Sequence, residues 1–314
     1  MNASDDWTAG RLRTHSGAEL QLYERVPADP RAIVHVCHGM AEHAGRYDRF
    51  AHTLHAAGYA TVAHDHRGHG LSTAPDAAQG HFGGRGWADV VADVEAVNRS
   101  IRERFDRTPV VVFGHSMGAL IALSYALEHS GTVEGAAVWN VETSYDALGR
   151  TFRALLAAER FLKGSDVPSS IAERLTFDAW NKEFAPNRTD FDWLSRDEAE
   201  VDAYVGDPMC GFPVTVGTWL AVLEGMRFTG SEIALTGLPR DKAVHLLGGR
   251  ADPCSRHGAA MERLRDRLGA IGARDVTLEL LEGARHESLN EINREETTAG
   301  FIAWLDARFA RGLS

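Results

Sequence analysis

Apolar and polar positions alternate through Glu19-Leu20-Gln21-Leu22-Tyr23-Glu24-Arg25-Val26, the two-residue period of a half-buried strand, and Pro27 to Pro30 close it with a turn. From Ala32 to Cys37 the chain is more continuously apolar and predicts a second strand. Phe50, Leu54 and Ala57 then share a helical face between Tyr47 and Ala57, Gly58 stops that helix, and Tyr59 to Ala63 returns to strand. The unit recurs. Trp87, Val90, Val91, Val94, Val97, Ile101 and Phe105 trace one side of a long helix, and Pro109 opens the strand Val110-Val111-Val112-Phe113. A helix from Met117 to about His129 and a strand from Val133 to Trp139 follow. Strands that are apolar throughout, alternating with helices, predict a mostly parallel sheet covered on both faces.

From about Val141 to Met226 the alternation stops. Leu148, Phe152, Leu155 and Leu156 mark one helix, and Ser170 with Glu173, then Ser195 with Glu198, have the spacing of capping boxes opening two more. The stretch reads as a helical cap inserted into the sheet domain, giving a first core part over 1–140, the cap over 141–226 and a second core part over 227–314. Alternation resumes with a strand from Ala243 to Leu247, a helix near Arg256 to Leu268, a strand from Val276 to Leu281 and a last helix from about Glu291 to Phe309.

Composition narrows the class. At 314 residues with 44% hydrophobic and 25% charged positions, the chain can bury a large core, as one α/β domain with an insertion. A net charge of −11 argues against nucleic acid as a partner, because no cationic field exists to displace counterions. Cys37, Cys210 and Cys254 lie far apart, without the spacing of a disulfide framework or a thiolate zinc site. Met1 to Gly10 is polar and unlike a secretory leader, and no run approaches a membrane span, so a cytoplasmic protein is expected.

The chemistry concentrates in Gly114-His115-Ser116-Met117-Gly118, a GxSxG between an apolar strand and a helix. That context is a nucleophile elbow, where the glycines make room for a turn that exposes Ser116. A serine hydroxyl needs a base and an acid to orient that base. Asp252 follows the strand ending at Leu247, His286 follows the strand ending at Leu281, and the order Ser116, Asp252, His286 suits a triad on such a sheet. Glu287 and Asp275 are rival acids; the first is adjacent to the base and the second precedes its strand. The oxyanion of a tetrahedral intermediate needs backbone N–H donors, expected from Met117 and from Met40 in His38-Gly39-Met40. His64-Asp65-His66-Arg67-Gly68-His69-Gly70 has the look of a metal ligand set but lacks a completing group, so it reads as a structural loop in which Asp65 and Arg67 bond to neighbouring loops. Neither a metal nor an organic cofactor is expected.

These motifs, with His38-Gly39-Met40-Ala41-Glu42-His43, Arg46-Tyr47, Asp65 to Ser72, Leu194-Ser195-Arg196-Asp197, Tyr204 and Asp207-Pro208, resemble the monoglyceride lipase and lysophospholipase branch of the α/β-hydrolases. The resemblance runs over nearly the whole chain and implies an α/β-hydrolase fold, a mostly parallel eight-stranded sheet flanked by helices with an inserted helical cap. It implies the same triad and the same oxyanion donors, and a lipid-like monoester, a monoacylglycerol or lysophospholipid, as substrate. The chain departs from the branch over Phe177 to Asp192, inside the part that shapes an acyl pocket. A short-chain carboxylesterase and an aminopeptidase of the same fold are the alternative enzymes; a binding module that has lost catalysis is disfavoured because every triad member is present. The helix bearing Leu148, Phe152, Leu155, Leu156, Phe161 and Leu162, with Arg150, Arg153, Arg160 and Lys163, would bury its stripe on the core or make transient contact with a membrane surface.

Overall fold

A computed structural model of the chain describes residues 4–309. Eight strands form one sheet: β1 (Ser4–Arg13), β2 (Glu19–Val26), β3 (Ile33–Cys37), β4 (Ala60–His64), β5 (Val110–His115), β6 (Gly135–Trp139), β7 (Ala243–Gly249) and β8 (Val276–Leu281), in the order β1-β2-β4-β3-β5-β6-β7-β8. From β4 through β8 every neighbouring pair is parallel, and β1 and β2 join antiparallel at one edge. The helices are α1 (Asp48–Ala56), α2 (Trp87–Arg104), α3 (Met117–Glu128), α4 (Ala147–Lys163), α5 (Ser170–Leu175), α6 (Phe177–Lys182), α7 (Glu198–Gly206), α8 (Val216–Thr229), α9 (Glu232–Leu235), α10 (Ala259–Ala270) and α11 (Arg294–Phe309).

The central strands β3 to β7 were legible because they are buried on both faces. In β5, Val110 and Val112 join the core beneath α2, α3 and α10, while Val111 and Phe113 join the opposite core against α1 and α11. There Phe113, Trp139 and Phe301 pack edge to face, with centroids 4.8–5.7 Å apart. β1 escaped the sequence pattern because it is a polar edge strand whose Arg11 and Arg13 leave no apolar alternation to read.

Helices α4 to α9 occupy the chain between β6 and β7, where α8 runs through residue 226 to Thr229. Both expected capping boxes are corrected. Ser169, not Ser170, caps α5 by accepting from the Ala172 amide at 3.1 Å, and Ser170 turns to Glu159 instead. Asp197 caps α7, while the Ser195 hydroxyl donates to the Asn290 carbonyl at 2.8 Å. The helix expected near Arg256 begins at Ala259, because Arg256 and His257 take positive φ in the turn that wraps Asp252.

Candidate active site

At the end of β5 the chain reverses into α3 within one residue. Ser116 sits in that turn with φ 55° and ψ −122°, a strained conformation for an L residue. A Cβ on Gly114 would stand 2.1 Å from the Gly118 carbonyl oxygen, and a Cβ on Gly118 would stand 2.1 Å from that of Cys37. Only glycine fits either place.

His286, on the loop after β8, and Asp252, on the loop after β7, are both buried, with His286 Nδ1 3.0 Å from Asp252 Oδ1. Burial works to raise the Asp252 pKa, but the facing His286 and hydrogen bonds from Ser255 and Asn140 outweigh it and hold the carboxyl below its usual range. An ionised Asp252 can only accept, so Nδ1 is the donor and the lone pair of His286 rests on Nε2. Asn140, with positive φ after β6, donates to Asp252 Oδ2 at 3.2 Å and accepts from Ser288 at 2.8 Å. The backbone amide of Cys254 completes the cradle at 3.0 Å. The rival acids are engaged elsewhere: Glu287 holds Arg46 through both oxygens, at 2.6 and 2.7 Å, and Asp275 accepts from Arg308 Nε at 2.8 Å.

Ser116 and His286 line one small cleft of about 30 Å³, together with Gly39, Met40 and Trp193. Ser116 also opens onto a cavity of about 340 Å³ that Met40, Met117, Leu148, Phe152, Leu155 and Trp219 help to line. Cys254 borders this cavity, and burial with the charges of Asp252 and Glu142 pushes its thiol well above the ordinary range, so it stays protonated beside the Ser116 hydroxyl.

Beneath the site lies an ionic network of which only the Glu42–Arg46 pair, four residues apart, has a spacing legible in the sequence. Glu42 accepts from the Gly39 amide at 2.6 Å, from Tyr47 at 3.0 Å and from Arg46 at 2.6 Å. Arg46 bridges Glu42 to Glu287, and His115 Nε2 donates to the His286 carbonyl at 2.9 Å. Burial opposes charge on both Glu42 and His115, yet Arg46 and His115 keep Glu42 well below the usual carboxylate range, and Glu42 raises His115 in return. The loop carrying Met40 and the loop carrying His286 are thus tied through one cation. Trp193 and Trp180, whose rings lie 4.7 and 6.5 Å from that of His286, were also missed, since aromatic residues in a helical stretch read as ordinary packing.

His64, His66 and His69 are buried, the first two with rings 4.8 Å apart and the third against His38, and burial depresses their pKa values, to about 3 for His64 and about 4 for His69. Asp65 accepts from Ala44 and Leu71 as expected, whereas Arg67 bonds to Ser16 of a neighbouring loop but pairs its charge with Asp89 and Asp93 of helix α2. Among the described residues, ligand atoms converge only at His43, Asp207 and Cys210. There His43 Nδ1 accepts from the Gly45 amide, so the proton sits on Nε2 and donates to Asp207 at 2.9 Å. A ring so engaged has no lone pair for a cation, and the contact acts as a latch.

A family model described as serine aminopeptidase, S33, matches residues 28–293. The monoglyceride lipase of Mus musculus is 28% identical over 301 residues, covering 92% of this chain and 86% of that protein. The monoacylglycerol lipase of Mycolicibacterium smegmatis is 29% identical over 285 residues, covering 88% and 89%. A carboxyl esterase from Bacillus coagulans superposes with a TM-score of 0.87 at 22% identity, covering 96% of this chain and 99% of that one, a likeness of fold alone. With the model spanning most of its length, the chain is an α/β-hydrolase that belongs to the serine aminopeptidase, S33, family.

Proposed function

We propose that the protein hydrolyses the carboxylic ester of a lipid-like monoester, a monoacylglycerol first and a lysophospholipid second, through an acyl-enzyme on Ser116. His286 Nε2 takes the Ser116 proton as Oγ attacks the ester carbonyl, and the amides of Met40 and Met117 hold the oxyanion. Collapse breaks the ester C–O bond, and the alcohol leaves with the proton from His286. Water, deprotonated by His286, then adds to the acyl carbonyl and releases the acid and free Ser116. The observation that carries this reading is the His286–Asp252 pair at 3.0 Å beside a strained Ser116 that opens onto a largely apolar cavity of about 340 Å³. The lipases named above are its closest support in substrate, through similarity over most of the chain.

An aminopeptidase would need a carboxylate free to hold the substrate ammonium. The carboxylates that line the two cavities are all paired: Glu42 and Glu287 with Arg46, Glu142 with Arg256 and Arg263, and Asp146 with Arg256 at 3.6 Å. This favours an uncharged ester. A general short-chain carboxylesterase would leave most of the larger cavity empty.

We assign residues 141–226 to a cap over the sheet, between core parts 1–140 and 227–314, and make α4 its membrane-facing edge. Phe161 and Leu162 are 89% and 78% exposed there, near exposed Arg150, Arg153 and Arg160. No helix among the described residues is long and apolar enough to cross a membrane. Three unpaired thiols accord with a cytoplasmic setting.

Ser116→Ala tests the chemistry: in a folded protein, turnover of 1-lauroylglycerol falls by about 10⁴-fold or more and fluorophosphonate labelling disappears. Retained turnover overturns the mechanism. A panel of monoacylglycerols, lysophospholipids, p-nitrophenyl esters and aminoacyl anilides tests the substrate, and an anilide outpacing every ester would reverse the assignment.

A further inference from the structure

We propose that Trp193 is a positioning residue for the base, its indole lying against the His286 ring and stabilising the imidazolium that forms when Ser116 gives up its proton. The inference rests on the reading of His286 as base. It goes beyond that reading by giving a role to a ring just past the stretch where the chain departs from the lipase branch, held in place by Phe177, Trp180 and Asn181 within that stretch.

The ring centroids of Trp193 and His286 lie 4.7 Å apart with planes at 37°, within the range at which a cation is attracted to an indole. The contact is built from the backbone up. His286 N donates to the Trp193 carbonyl at 3.4 Å and Glu287 N to that of Leu194 at 2.7 Å. Arg285 Nη1 donates to the carbonyls of Asp192 and Ser195, at 2.5 and 3.0 Å. Four bonds therefore clamp residues 192–195 onto the loop that carries the base. Trp193 is fixed in turn: its amide donates to Asn181 Oδ1 at 3.1 Å, Phe177 stacks on its ring at 5.6 Å and 17°, and Trp180 lies 4.9 Å away. With Trp193 4% and His286 2% exposed, water screens the pair little.

The other groups around the base are Asp252 from the β7 loop, the His115 ring at 4.7 Å from β5, Glu42 and Arg46 from the loop after β3, and Glu287 and Arg285 beside it in sequence. Asp252 favours the imidazolium, and a protonated His115 opposes it. Arg46 offsets Glu42 and Glu287. The indole of Trp193 is the nearer of two uncharged rings in this shell, the other being Trp180, and its effect can be removed without replacing a charged group.

Two consequences of removing the ring have opposite sign. Losing the π face disfavours the imidazolium, whereas admitting water would favour it. In the full-length enzyme, the pH profile of kcat/KM on a p-nitrophenyl ester reads this directly. Trp193→Leu moves the acid limb down by about 0.5–1 pH unit, and Trp193→Phe, which keeps a face, restores most of it. Site-specific fluorinated tryptophans at position 193, which keep shape and fold while draining the π face, move the limb down stepwise; they decide the matter should the leucine variant not fold. A limb that stays put or moves up in the leucine variant, or ignores fluorination, overturns the inference. A His286→Ala variant with wild-type turnover would instead overturn the base assignment itself, so the two failures are distinguishable.

Discussion

Asp252 is held by four donors, His286 Nδ1, Asn140 Nδ2 and the amides of Cys254 and Ser255, and its place in the proposed triad follows from being both buried and ionised. Asp252→Asn keeps the volume but loses the charge and can donate where the native group only accepts, favouring the wrong tautomer of His286. We expect kcat to fall about 10⁴-fold with thermal unfolding little changed, a split that steady-state kinetics and calorimetry on the same sample measure. Arg46 makes the contrasting case. Its guanidinium faces Glu42 and Glu287, both buried, so Arg46→Met leaves two carboxylates without their counter-ion. A loss of about 3–5 kcal/mol in urea unfolding is expected, together with lost activity, since the network also anchors the Met40 and His286 loops. The triad types were legible from motif and strand order. Trp193 and the pairing of Arg46 with Glu287 were not, because each joins residues far apart in sequence, at separations no period encodes.

Helix α4 shows how an element can satisfy two demands. Asp146 caps it by accepting from the amides of Leu148 and Gly149, Leu156 is buried, and Phe152 packs on Trp219 at 6.1 Å. Leu148 and Leu155 look into the larger cavity, while Phe161 and Leu162 at the far end stand in solvent. The sequence offered burial on the core or contact with a membrane as alternatives for one stripe; the helix divides its apolar residues between an inner and an outer side. Phe161→Ser with Leu162→Ser should weaken flotation with anionic vesicles by about tenfold or more while leaving turnover of a soluble p-nitrophenyl ester near the wild-type rate. Equal flotation of variant and wild type removes α4 as the contact. The capping residues teach the same lesson on a smaller scale: where several Ser and Asp residues compete near a helix start, the one left free by contacts such as Ser195 with Asn290 becomes the cap.

Across the whole molecule, stability should depend on pH through buried groups rather than net charge. His35, His38, His64, His66 and His69 are fully or almost fully buried, and burial depresses the pKa of each. The unfolded chain takes up these protons below about pH 6.5 and the folded one does not until much lower, near 4 for His69 and near 3 for His64. Stability contributed by neutral histidine is therefore complete above about pH 6.5 and is lost as the pH falls from there toward 3–4, by a few kcal/mol in order of magnitude. The depressed Glu42 and Glu287 lose stability in the same direction at lower pH, while Asp65 and Asp93, whose pKa values are raised by burial, oppose it. Urea midpoints should hold between pH 7.5 and about 6.5 and fall from there to pH 4.5, and a flat profile across that lower range would contradict this account.

What the amino-acid order determined alone was the parallel sheet, the elbow at Ser116 and the positions of Asp252 and His286 after their strands, because burial on two faces and a tight strand-to-helix turn are local demands that leave a local pattern. Tertiary structure decided the rest: the polar edge strand β1, the division of α4 between cavity and solvent, and the clamp that sets Trp193 against His286. Those features depend on which distant groups meet, and a charge or a ring acquires its meaning only from the partner that the fold brings to it.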